Sequence, residues 1–90
     1  MWRVEYQKRF LKELAALPNP FRKRIETFAF NEMPGQNPFG LGCIEKMAGY
    51  PDKYKARFGE FRAGLTIYSK SKVVRFERVG NRKEIYRTFP

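Results

Sequence analysis

The segment Asn31–Gly42, NEMPGQNPFGLG, separates two halves of the chain whose apolar residues recur with different periods. With three Gly and two Pro in twelve residues it reads as a loop, since both residue types break regular elements. Before it the apolar spacing is helical; after it the spacing alternates as in strands. Ninety residues cannot support two cores, because a chain this short buries only about 60–65% of its unfolded surface. The helical half and the strand half must therefore share one core, which predicts a single α+β domain over 1–90.

Within the first half, Trp2, Val4 and Tyr6 alternate with Arg3 and Glu5, the pattern of a short opening strand. A helix fits 7–17, with Phe10, Leu11, Leu14, Ala15 and Leu17 on one stripe and Lys8, Arg9, Lys12 and Glu13 opposite. Pro18-Asn19-Pro20 ends that helix and opens the next, because proline is accepted in a first turn but not in a helix interior. Phe21, Ile25, Phe28 and Ala29 line the second helix, and the short link implies an antiparallel hairpin. In the second half, Tyr54, Ala56 and Phe58 alternate with Lys55 and Arg57, and Phe61, Ala63, Leu65 and Ile67 alternate with Arg62 and Thr66. Gly59-Glu60 between them suits a two-residue hairpin of type II′, which sets Phe58 opposite Phe61 and Arg57 opposite Arg62. Val73–Val79 follows as a third strand, and the alternation of 84–89 predicts a fourth. The expected architecture is an N-terminal strand and a helical hairpin packed on a mainly antiparallel sheet of four to five strands.

Charge narrows the function. Nineteen Lys and Arg against nine Asp and Glu give a net charge of +10. Residues 1–44 carry net +3 and residues 45–90 net +7, so a polyanion is expected to bind the second half. One cysteine, Cys43, cannot close an internal disulfide, and without histidine no His/Cys cluster exists to hold zinc. The scattered acids show no paired carboxylates for Mg²⁺, so no metal or cofactor is expected. No apolar run approaches the ~20 residues of a membrane span and MWRVEYQKRF is no signal peptide, so a cytoplasmic protein with no membrane partner is expected. Any acid–base chemistry falls to Lys, Arg, Tyr or a carboxylate.

One face of an antiparallel sheet can meet water while helices cover the other. Here that open face carries Lys55, Arg57 and Arg62. Like charges directly across a hairpin cost up to about 1 kcal/mol, which an anionic ligand offsets; the bland alternative is a solvated basic face with its alkyl stems on apolar surface. Arg82, Lys83 and Tyr86 follow the Val79-Gly80-Asn81 turn signal. Taken singly, Tyr54, Tyr68 and Tyr86 read as core or rim residues, Asp52 as a turn residue, and Cys43 as a small buried or loop residue.

The run KMAGYPDKYKARFGEFR at 46–62, followed by VGNRKEIY at 79–86, resembles the RelE toxins of the RelE/ParE toxin–antitoxin superfamily, over the whole chain and in the same order of elements. The resemblance implies a metal-independent, ribosome-dependent endoribonuclease that cuts mRNA in the decoding site through 2′-hydroxyl attack. Carried over by position, Lys55 activates the ribose 2′-hydroxyl and Arg57 and Arg62 bind the scissile phosphate. Arg82 protonates the leaving 5′-oxygen, and Tyr86 orients or stacks on the substrate. Crowding Lys55 among arginines would favour its neutral form and let it take the proton. The implied partners are the 70S ribosome, mRNA and an antitoxin that lays an acidic or amphipathic segment on the basic surface, with the free toxin a monomer. Arg57 stands where some members have Lys, Asn81 where a basic residue or His is common, and the C-terminal helix that extends some relatives is expected to be missing. The same fold serves ParE-like toxins, which bind DNA gyrase and cut no RNA, and net +10 alone would suit a non-catalytic RNA- or ribosome-binding module. The joint presence of Lys55, Arg57, Arg62, Arg82 and Tyr86 favours the RelE reading.

Overall fold

A computed structural model describes all of residues 1–90. Strand β1 (Arg3–Tyr6) leads into helix α1 (Lys8–Ala15) and helix α2 (Phe21–Glu26), which widens into a π-type turn over Thr27–Glu32. After a 3₁₀ turn at Pro38–Gly40 come β2 (Ile44–Lys46), β3 (Lys53–Phe58), β4 (Phe61–Tyr68), β5 (Val73–Asn81) and helix α3 (Arg82–Thr88). The five strands form one sheet in the order β1-β5-β4-β3-β2. β1 runs parallel to β5, and every other neighbouring pair is antiparallel.

The topology explains the loop that divides the sequence. β1 and β2 lie on opposite edges, so the chain between them crosses four inter-strand spacings, about 19 Å. The helices cover that span, and the Gly/Pro segment delivers the chain to the far edge. Phe10, Leu14, Ile25, Phe28, Ala29 and Met33 from the helical side meet Ala56, Phe58, Ala63, Leu65, Ile67, Val74, Phe76 and Val79 from the sheet. Phe10 packs on Phe76 with ring centroids 5.0 Å apart, and Tyr6 stacks on Phe76 at 5.6 Å while donating its hydroxyl to the Ala29 carbonyl at 2.6 Å. β1 is short, so β5 runs past it with an open edge. Glu13 closes that edge: its carboxylate takes the Arg78 guanidinium at 2.7 Å and the Val79 N–H at 3.1 Å. A bulge in β5 between the pairs Gly64↔Arg78 and Leu65↔Phe76 leaves Glu77 without a partner across the ladder.

Three expectations are corrected and one strand is added. Helix α1 stops at Ala15, and Leu11 is exposed, so the stripe that packs is narrower than the apolar spacing suggested. The segment expected to be loop from Asn31 holds the end of the π-type turn and the fully buried Met33. β2 is a strand of three residues, too short for alternation to reveal. Finally, 84–89 is not a fourth strand of the meander: 82–88 is α3. Asn81 caps it, its Oδ1 accepting the Glu84 N–H at 2.9 Å, and Asn-Arg-Lys-Glu is a cap-to-N3 spacing. Ile85 and Phe89, four apart, both fall inward.

That last correction changes the exposed surface. α3 and the residue after it lie on the sheet face away from α1 and α2. Phe89 fills the space over Gly64, where a Cβ would stand 2.7 Å from the ring. The face expected to be open is thus partly covered, and its basic residues border a helix.

Candidate functional site

The site is built from the β3–β4 hairpin and α3. Gly59 turns the hairpin with φ +59°, a backbone region glycine enters without strain. The register is the expected one, Phe58 opposite Phe61 and Arg57 opposite Arg62. The Arg82 N–H donates to the Glu60 carbonyl at 2.8 Å, which ties the start of α3 to the hairpin turn. Between them opens a cleft of about 630 Å³ lined by Gly59, Glu60, Asn81, Arg82, Lys83 and Tyr86.

Tyr86 and Arg82 are four residues apart on α3, so they share a helix face. Tyr86 is half-exposed and meets Lys55, whose Nζ donates to the phenol oxygen at 3.2 Å and stands 4.6 Å from the ring centroid. The Lys55 hydrogen bond and charge hold the Tyr86 phenol below the ordinary tyrosine range, with smaller contributions from Arg62 and Arg82. Loss of the cation therefore returns the phenol to higher pH. In Lys55→Met we expect the earliest-ionising tyrosine in a 295 nm titration to move upward; an unchanged curve would show that the pair does not form in solution.

The two arginines facing across the hairpin turn away from each other. Arg57 reaches sideways to Glu45 on β2, Nη1 to Oε1 3.1 Å. Arg62 is buried, its Nη1 donating to the Gly59 carbonyl at 2.5 Å and the Phe61 carbonyl at 2.9 Å, and its Nε has no partner. Its recorded acceptors are backbone carbonyls, and no carboxylate pairs with it. The structure thus brings Lys55, Tyr86, Arg62 and Arg82 to one locality, while Arg57 sits at the sheet edge. Lys55 has the Tyr86 phenol as its hydrogen-bond partner and Glu45 as its register partner across the strand pair. Lys53, on the same face as Lys55, donates to the buried Thr66 hydroxyl at 2.8 Å, and that hydroxyl donates to Glu77. Glu45 and Glu60 escaped the sequence reading, since nothing in a three-residue strand or a turn marks a carboxylate as part of a site. Asn81, noted for lacking a charge, is the helix cap. Tyr54 packs on Phe39, Tyr68 lies under Arg75, and burial pushes the Cys43 thiol up.

No protein-family model matches the chain. A curated relative, Toxin RelE3 of Methanocaldococcus jannaschii, is 33% identical over 90 residues, covering 98% of this chain and 99% of the relative. Among solved structures, the RelB–RelE antitoxin–toxin complex from Methanococcus jannaschii contains a chain with TM-score 0.79 and 34% identity, covering 97% of this chain and all of that one (100%). The RelBE toxin–antitoxin complex of E. coli gives TM-score 0.67 at 20% identity, covering 90% of this chain and 96% of its match, a likeness of fold. A small α+β domain with a cationic cleft between hairpin and terminal helix is the class that fold and site define. The chain belongs to the RelE family, the toxin component of type II RelBE toxin–antitoxin systems. No helix is long and apolar enough to cross a membrane.

Proposed function

We propose that the chain is a ribosome-dependent endoribonuclease that cuts mRNA in the ribosomal A site, and that an antitoxin neutralises it. Membership of the RelE family supports a nuclease role in general. The observation that carries the reading is the meeting of Lys55, Tyr86, Arg62 and Arg82 beside an open cleft, with the buried Arg62 lacking any acidic partner.

In the proposed reaction the ribose 2′-oxygen attacks the adjacent phosphorus in line with the departing 5′-oxygen. Lys55 activates the 2′-hydroxyl by taking its proton, and Arg57 and Arg62 hold the phosphate. Guanidinium groups suit the gathering charge on its equatorial oxygens through charge-assisted, bidentate contacts. Arg82, at the mouth of the cleft, gives a proton to the leaving oxygen, and Tyr86 offers its exposed ring to a base. The fragments are a 2′,3′-cyclic phosphate and a free 5′-hydroxyl, and no metal ion enters the scheme. The ribosome supplies the backbone conformation that in-line attack needs, which can account for a large share of the barrier reduction.

The antitoxin reading draws on the solved complexes of similar chains with RelB. An acidic or amphipathic segment suits a surface of net charge +10, and it orders on contact. The test is to add the purified protein to translating ribosomes carrying a defined message and map 5′ ends. Cuts within the A-site codon are expected; an intact message would overturn the proposal, and inhibition of gyrase supercoiling would replace it.

A further inference from the structure

The nuclease reading gives work to Arg82 and Tyr86 but none to the two other charged residues of the same cleft, Glu60 on the hairpin turn and Lys83 on α3. Glu60 is the anomaly. A carboxylate bordering a cleft that receives RNA repels phosphate, and Glu60 joins none of the protein's four ion pairs. The residue is exposed, yet its backbone is fixed, because the Glu60 carbonyl takes the Arg82 N–H at 2.8 Å. We propose that the cleft selects guanine: the base that stacks on Tyr86 gives its N1–H and N2–H to the Glu60 carboxylate, and its O6 accepts from the Lys83 ammonium. The inference rests on the nuclease reading above and deepens it by naming the base that the site accepts.

The residue types around the cleft select the base. Single-stranded RNA is read by stacking bases on aromatic rings and by hydrogen bonds to their exposed edges. Lys55 Nζ stands 4.6 Å from the Tyr86 ring centroid, and the residue is still 51% exposed, which leaves ring surface for a base. Lys83 precedes Tyr86 by three residues on α3, so the two are neighbours on the helix surface. Of the other lining residues, Gly59 has no side chain and Asn81 commits its Oδ1 to the α3 cap. A carboxylate only accepts hydrogen bonds and an ammonium only donates them. Among RNA bases, guanine alone presents two adjacent N–H donors beside a carbonyl oxygen on its Watson–Crick edge, the complement of a carboxylate next to an ammonium. Adenine and cytosine set an amine beside a ring-nitrogen acceptor, and uracil sets one N–H between two carbonyls. Each of these three turns an acceptor toward the carboxylate, which rejects them as it rejects phosphate.

The experiment measures single-turnover cleavage of ribosome-bound messages that carry guanine, inosine or adenine at each A-site codon position in turn. Inosine keeps O6 and N1–H but lacks the N2 amine. At one position the wild type should cut the guanine message about 10–100-fold faster than the adenine message, with inosine between them. Glu60→Ala should bring that guanine-to-adenine ratio close to one, and Glu60→Gln and Lys83→Met should each lower it. The ratio is the readout because damage to the fold or to the chemistry slows all messages alike, whereas loss of a base contact slows the guanine message most. Glu60→Gln keeps the shape of the side chain, so the comparison stands even where Glu60→Ala folds poorly. A wild-type ratio near one at every position, or a ratio that survives in both Glu60 variants, would overturn guanine selection and leave the nuclease reading standing. A wild type that cuts none of the messages would overturn both.

Discussion

Arg82→Ala is expected to slow message cleavage on the ribosome by about 10³-fold while leaving the protein folded. The size follows from the proposed role: removal of a positioned proton donor costs about 10²–10⁴-fold, and loss of a preorganised cation near developing charge costs about 10²–10³-fold. The fold is spared because the contact that ties this residue to the hairpin is made by its backbone N–H to Glu60, which alanine retains. The side chain is exposed and opens α3, where a cation opposes the helix dipole by a few tenths of a kcal/mol. Arg82→Lys should recover part of the rate, since an ammonium can donate but lacks the planar fork. Single-turnover rates with a circular-dichroism melt decide it; undiminished cutting by Arg82→Ala would remove this residue from the mechanism.

Gly64→Val should destabilise the domain by about 1–3 kcal/mol and lower the melting temperature by about 5–20 °C, the largest stability effect expected from a change on this sheet face. Gly64 is the floor on which Phe89 lies, and a Cβ there would stand 2.7 Å from the ring, well inside contact distance. The ring must leave, and with Phe89 goes the buried anchor just past the end of α3. Cleavage should fall as well, because Tyr86 and Arg82 take their places from that helix. The double variant Gly64→Val with Phe89→Ala should be no less stable than Phe89→Ala alone, since the clash is gone. Gly40→Ala, at a position with nothing within 4 Å, is the matched control and should melt like the wild type. A Gly64→Val protein with an unshifted melt would mean that Phe89 does not rest on the sheet in solution.

Much of the fold was legible because it is local. The stripe Phe10/Leu14, the stripe Ile25/Phe28/Ala29 and the alternation on either side of Gly59-Glu60 each need only a few consecutive residues to show their period. The failures share a cause. At 84–89, Ile85 and Phe89 satisfy a helix at i, i+4 and a strand at every second residue equally well, and only the Asn81 cap breaks the tie. β2 is recruited by β3 and has too few residues to declare itself.

The candidate site divides the same way. Residue type, net charge and hairpin register were in the sequence, since Gly59 sets the turn and the turn sets which side chains face one another. That register made Arg57 oppose Arg62, but it could not say where the guanidiniums go. Arg57 turned to Glu45 on β2 and Arg62 to the Gly59 and Phe61 carbonyls of its own hairpin, which takes the two cations apart and relieves the repulsion that the ladder imposes. The sequence by itself determined a basic α+β domain with a cationic hairpin. Only the tertiary structure brought Tyr86 to Lys55 and Glu45 across from it, because those approaches depend on α3 seating Phe89 against Gly64 and on β2 joining the sheet edge, long-range packing that no local period encodes.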